Sequence, residues 1–96
     1  MKTAEEIKKI LAEYEEELRS KFHVKKLGIF GSYARNEQRE NSDVDIMVDF
    51  EGPIGLEFVD LADYLETILG VTVDLVPRDA IKPNRWKYVA QDLLYV

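Results

Sequence analysis

The residues whose spacing could do chemistry here are aspartates and one Gly-Ser pair. Asp43 and Asp45 stand two apart in Asp43-Val44-Asp45-Ile46-Met47-Val48-Asp49-Phe50, where polar and apolar residues largely alternate. On a strand, that spacing sends both carboxylates out of the same face. Asp74 interrupts the run Val71-Thr72-Val73-Asp74-Leu75-Val76, where a buried, unpaired acid would be costly. Gly31-Ser32 closes the segment Val24 to Phe30. Glycine lets an anion approach the backbone closely, and serine adds a hydroxyl beside the following amides. Each feature alone has a plain explanation. Gly-Ser is a common strand-end turn, Asp-x-Asp is often a solvated strand face, and Asp74 on an edge strand could face water.

Together they say more. Neighbouring carboxylates repel unless a cation neutralises them. Aspartate oxygens are hard ligands, suited to Mg²⁺ or Mn²⁺. Two such ions can clamp a phosphoryl centre, one on the attacking and one on the leaving oxygen. A phosphate cradle, two metal ions and an aligned acceptor are the requirements of nucleotidyl transfer.

The elements that must position these groups follow from periodicity. Thr3 and Glu6 have capping-box spacing, and Ile7, Ile10, Leu11, Tyr14 and Leu18 recur at helical intervals. One amphipathic helix is predicted from about Ala4 to Lys21. A strand follows over Val24 to Phe30, a short helix at Ser32 to Arg35, and a polar loop from Asn36 to Ser42. Asp43 to Phe50 is a strand with Val44, Ile46, Val48 and Phe50 on one face. Leu56 to Leu69 is a second amphipathic helix, with Gly70 placed as its C-terminal cap. It is long enough to cross between parallel strands, which puts the strand Val71 to Val76 beside the Asp43–Asp45 strand. The tail carries a helix around Asn84 to Ala90 and an extended run from Leu93 to Val96.

The order α-β-α-β-α-β-α predicts a mixed α/β (α+β) fold, one small mixed sheet flanked by helices. The 96 residues make a single domain, 1–96, with room for one modest core. A net charge of −6 argues against direct nucleic-acid binding and agrees with a cation site. Without cysteine, and with His23 the single histidine, disulfides, thiolate zinc sites and multi-histidine sites are excluded. The N-terminus has no apolar leader-like stretch and no segment has membrane-spanning length, so a cytoplasmic protein is expected.

Gly31-Ser32-Tyr33-Ala34-Arg35, followed by Ser42-Asp43-Val44-Asp45-Ile46-Met47-Val48, resembles the signature of the DNA polymerase beta nucleotidyltransferase superfamily. More narrowly, it resembles the minimal nucleotidyltransferases, antitoxin-like partners of HEPN-domain proteins, over nearly the whole chain. The resemblance implies a polymerase-beta-like palm. It implies that Asp43, Asp45 and Asp74 hold two Mg²⁺ ions (or Mn²⁺), with Asp74 helping to activate the acceptor hydroxyl. Gly31 and Ser32 would hold the triphosphate of the NTP substrate, ATP in the first instance, and Arg35 would pair with phosphate. The family usually has glycine where this chain has Asn36, and asparagine is the next most tolerant residue at positive φ.

The implied reaction moves AMP from ATP to a tyrosine hydroxyl of a HEPN toxin, so that the chain acts as an antitoxin. The same residues would serve an antitoxin that neutralises its partner by contact alone. They would also serve modification of a small molecule such as an antibiotic, against which the lack of a second domain weighs. The aromatic residues Tyr64, Trp86, Tyr88 and Tyr95 lie outside the proposed metal site. Arg85-Trp86-Lys87-Tyr88 has the composition of a partner-docking segment, although Trp86 could equally cover the sheet.

Overall fold

Val44, Ile46 and Val48 alternate along the chain and are fully buried, and the sheet is built around the strand they form. A computed structural model describes residues 2–96. Strand β2 (Val44–Phe50) lies between β1 (Val24–Phe30), which is antiparallel to it, and β3 (Val73–Pro77), which is parallel. A two-residue strand, β4 (Leu94–Tyr95), pairs antiparallel to β1 and completes the order β3-β2-β1-β4. The sheet is mixed, as the sequence predicts, and the terminal extended run is its outer strand.

One face of the sheet holds the main core. Helix α4 (Glu57–Leu69) crosses between the parallel strands and presents Leu61, Leu65 and Leu69, all fully buried at i, i+4, i+8. Gly70 ends it in the left-handed region, at φ 70°. Helix α1 (Ala4–Glu13) adds Ile7 and Leu11 to the same cluster, and α2 (Glu15–Phe22) adds Leu18. The predicted capping box is present at Thr3 and Glu6.

The single helix expected over Ala4 to Lys21 is two helices. The ladder breaks at Tyr14 (φ −106°, ψ 16°), whose N–H turns back to Leu11. Glu15, Glu16 and Glu17 then occupy the first turn of α2, where the helix dipole favours acids. The bend lets Tyr14 meet Tyr64 edge-on, with ring centroids 6.0 Å apart, while Phe22 packs on the same ring at 4.9 Å. Tyr64 is therefore half-buried in an aromatic cluster.

The other face carries Gly28, Phe30, Asp45, Met47, Asp74 and Val76, placed there by register and alternation. It is not simply a solvated face, because Met47 is buried. Gly28 packs closely against the Leu93 side chain, and α5 (Pro83–Asp92) runs along this face. No residue of α5 is fully buried. It is held by contacts at its two ends. The Arg78 guanidinium, in the 3-10 turn Arg78–Ala80, lies 3.6 Å from the centroid of the half-buried Trp86 ring. Asp92 accepts from Arg35 at 2.7 Å. No helix among the described residues is long and apolar enough to cross a membrane.

The two layers predict different mutational costs. Leu65→Ala removes a knob from the main core and should cost about 2–5 kcal/mol in urea unfolding. Trp86→Ala removes a half-buried ring and its cation partner, and should cost less, about 2 kcal/mol. The reverse order would place α5 deeper in the fold than its exposure shows.

Candidate active site

The parallel register of β2 and β3 sets Asp45 directly beside Asp74. The antiparallel register of β1 and β2 sets Phe30 beside Asp45. Phe30, Asp45 and Asp74 thus form one row across the sheet, with Gly31 one residue beyond Phe30. Asp45 is half-buried, and Asp74, on an edge strand, is exposed. Asp43 stands just before β2 and is also exposed. Its Oδ1 accepts a hydrogen bond from the Thr72 hydroxyl at 2.5 Å, and the Val44 N–H donates to the Thr72 carbonyl at 2.9 Å. Thr72 therefore orients Asp43, a role the sequence reading did not assign. The signal was available: if 45 lies beside 74 in a parallel pair, 43 lies beside 72.

Gly31 is required here for two reasons. Its φ of 73° lies in the left-handed region, and a Cβ built on it would overlap the Asp45 carboxylate. It opens the short helix α3 (Gly31–Ala34), in which Ser32 is half-buried and Tyr33 fully buried. Asn36 follows at φ 58°, so asparagine supports the turn where glycine was the alternative. Tyr33 is a core residue.

Burial, more than any other influence, raises the Asp45 carboxyl from its usual range to about 6. The charge of Asp74 raises it further, followed by a hydrogen bond with Asp74 and the charge of Asp43, while Arg35 pulls it down. Asp45 and Asp74 are thus a close pair, with Asp43 adding to the negative field from one residue before β2. Among the described residues, no three His, Cys, Asp or Glu side chains are gathered tightly enough to hold an ion unaided. The donor chemistry fits a hard cation all the same. Two adjacent carboxylates and a third nearby create a negative field, and Mg²⁺ usually arrives with substrate phosphates as further ligands.

Residues 11–96 match the nucleotidyltransferase domain family. The chain is 48% identical over 97 residues to the protein adenylyltransferase MntA of Thermococcus cleftensis, covering 100% of this chain and 98% of that one. It superposes with a TM-score of 0.75 on a structure provisionally described as a minimal nucleotidyltransferase, at 33% identity over 92% of this chain and 93% of that one. The MNT antitoxin fold in complex with a tri-AMPylated HEPN toxin from Shewanella oneidensis also matches, with TM-score 0.66 and 21% identity, over 93% of this chain and 70% of that one.

The chain belongs to the nucleotidyltransferase domain family.

Within this nucleotidyltransferase, the residues singled out from sequence divide into two groups. Asp43, Asp45, Asp74, Gly31 and Ser32 gather at one rim of the outer sheet face. Arg35, expected at a phosphate, is instead hydrogen-bonded to Glu37 at 2.9 Å and Asp92 at 2.7 Å. It ties α3 to the end of α5 and acts on Asp45 through its field. The Arg85–Tyr88 segment divides by side chain. Trp86 packs on Arg78, whereas Tyr88 is 63% exposed and free to meet a partner.

Two outcomes test this geometry. The folded Asp45 carboxyl titrates near 6 and the unfolded one near 3.8. Between those values the native state holds the extra proton, so metal-free stability falls as pH rises from about 4 to about 6 and then levels off. Asp45→Asn should remove that slope and, in chelator at pH 7, stabilise the protein by about 1 kcal/mol after allowance for solvent screening. Unfolding midpoints across that pH range measure it, and an unchanged slope in the variant would reassign the titration. Gly31→Ala should destabilise by about 1–3 kcal/mol, from strain at positive φ and displacement of the carboxylate. Its Asp45 side-chain NMR signal should shift.

Proposed function

We propose that this chain is a Mg²⁺-dependent adenylyltransferase that moves AMP from ATP to a hydroxyl, a tyrosine in the first instance, of a HEPN-domain partner, and so acts as an antitoxin. The observation that carries this reading is the Asp45–Asp74 pair beside the left-handed Gly31 turn. It joins an acidic, cation-seeking field to a strand-end turn that only glycine can make against the Asp45 carboxylate. The names of the relatives support the adenylyl group and the partner class.

Each residue then has a part. Gly31 makes the left-handed turn that accommodates the Asp45 carboxylate at its Cα and leads into Ser32, which offers a hydroxyl to the β- and γ-phosphates. Asp43, oriented by Thr72, and Asp45 would hold Mg²⁺, with Asp74 completing the set. When bound, Mg²⁺ supplies the positive charge that offsets the phosphates and the developing charge on the leaving pyrophosphate. Asp74, exposed on the edge strand, is the carboxylate within reach of an incoming hydroxyl and accepts its proton. The hydroxyl oxygen forms a bond to the α-phosphorus. The bond from that phosphorus to the oxygen bridging the β-phosphate breaks, and pyrophosphate leaves. Alignment of the acceptor falls to the partner's own surface.

The test is to incubate the purified chain with a HEPN-domain protein, Mg²⁺, and ATP labelled in the α-phosphate. Label should pass to the partner, and Asp45→Asn should reduce transfer by roughly a hundredfold or more while complex formation persists. Neutralisation of the partner without label would establish contact alone as the mode of action.

A further inference from the structure

Leu56, at the start of α4, is 82% exposed, the most exposed large hydrophobic among the described residues, and Val59 one turn on is 57% exposed. Residues three apart are neighbours on a helix surface, and neither of these two belongs to the core. Leu56 makes no side-chain cap bond, at a position where serine, threonine or aspartate ordinarily serves the helix. The fold therefore calls for an apolar side chain at neither place. The same turn lends Phe58 to a hollow of about 240 Å³ at the C-terminal ends of β2 and β3. Phe50, Ile54, Phe58 and Pro77 give it apolar walls, with the Phe50 and Phe58 rings edge-on at 6.5 Å. Its volume falls below the ~300–1,000 Å³ of ordinary small-molecule pockets and suits a protein side chain. Its rim is acidic. Asp49 and Asp79 line it, and Glu51, Glu57 and Asp60 stand exposed in the adjoining segments. The one cation at its wall, Arg78, already lies over the Trp86 ring.

We propose that this hollow and the first turn of α4 form a docking face for a basic amphipathic helix of a partner protein. One apolar side chain of that helix enters the hollow, its neighbours a turn away cover Leu56 and Val59, and lysines or arginines beside them meet the acidic rim. A helix fits better than an added strand because the neighbouring sheet edge is nearly closed. The Val44 N–H donates to the Thr72 carbonyl, so in the parallel register Thr72, Asp74 and Val76 bond to β2, and Val73, Leu75 and Pro77 turn outward. The Val73 N–H already donates to Glu66 Oε2 at 2.9 Å, and proline has no N–H. Leu75 is left as the single free donor of β3, too little to template a strand.

The face lies away from the acids. Phe50 follows Asp45 by five residues along β2, roughly 16 Å at the usual strand rise. A partner anchored there leaves the Asp45–Asp74 rim open, so holding a protein and acting on it are separate tasks of separate surfaces. The inference does not depend on the adenylyl transfer proposed above, and its test needs no nucleotide.

The probes are two synthetic peptides of about 15 residues, long enough to form a helix in isolation. Both carry leucine at helical spacing along one face; the remaining positions are lysine in one and glutamate in the other. The lysine peptide should bind the wild-type chain about tenfold or more tighter than the glutamate peptide, since like charges across an interface are strongly disfavoured. It should shift the NMR signals of Ile54, Leu56 and Val59. Leu56→Gln with Val59→Gln, both exposed and both compatible with a helix, should weaken binding about tenfold or more and leave the melting temperature unchanged. Equal affinity for the two peptides overturns the proposal, as does a preference that survives the double substitution. Shifts gathered instead at Val76 and Val89, beside Asp45 and Asp74, also overturn it, because the acidic pair would then be the attraction. Sedimentation of the wild-type chain alone tests the other occupant. Self-association that the double substitution abolishes would give the face to a second copy and overturn the assignment to a partner helix. Failure of the labelling assay would refute adenylyl transfer and leave this binding result standing, so the two readings fall separately.

Discussion

Two carboxylates held side by side across a parallel strand pair are the constraint around which this small protein is arranged. Asp45 and Asp74 are register partners, and like charges opposite one another destabilise a sheet. What keeps them together is the reverse face of the same strands. Val44 and Ile46 are fully buried, and Val73 and Leu75 pack on the same core. A slip of one residue would put those apolar side chains in water and the acids in the core, at far greater cost than the repulsion. The fixed register leaves Asp45 half-buried beside Asp74, and burial first, with the Asp74 charge second, raises its pKa. Gly31 belongs to the same constraint, since any side chain there would occupy the space of the carboxylate.

The legibility of the fold from sequence follows from where the core lies. β1 agrees at both ends with the expectation, and β2 and α4 agree to within one residue, because each has a face that must be dry. The adjacency of Asp74 and Asp45 was also readable, since a crossover helix of α4's length joins parallel neighbours. The break at Tyr14 was not, because both halves keep the same apolar stripe and the bend depends on ring packing against Tyr64, some fifty positions away in sequence. Met47 was read as facing with the aspartates, which is correct by alternation. Its burial is announced by no local pattern. Arg35 was ambiguous for a similar reason. Glu37 is only two positions away, but Asp92 is 57 positions away, beyond the reach of any local pattern.

Helix α5 shows how little holds one wall of the site. It has no fully buried residue, so its place comes from the Arg78–Trp86 stack at one end and the Arg35–Asp92 pair at the other. An exposed ion pair contributes little, and a stacked arginine adds about 0.5–2 kcal/mol depending on desolvation. Elements attached this lightly open most readily in native-state fluctuations. The chemistry-bearing side of the molecule therefore combines a rigid strand pair, which fixes the acids, with a weakly held helix, which can yield to whatever enters beside them.

Charge links these features. A polyanionic nucleotide meets an acidic chain and, at the site itself, an acidic pair, so attraction without a cation is unfavourable at close range. On the proposed reading, a metal-bound nucleotide would reverse that sign locally, because the ion's charge would be the largest in the site. The position of the Asp45 pKa, about one unit below neutrality, makes the reversal inexpensive. Near pH 7 most of the Asp45 population is already ionised, so a cation would displace little proton there. On that reading, the charge on Asp45 that destabilises the free protein would contribute affinity for the cation. For this reason the strain is concentrated at Asp45 and Asp74 while the opposite face of the sheet is packed without a buried polar side chain.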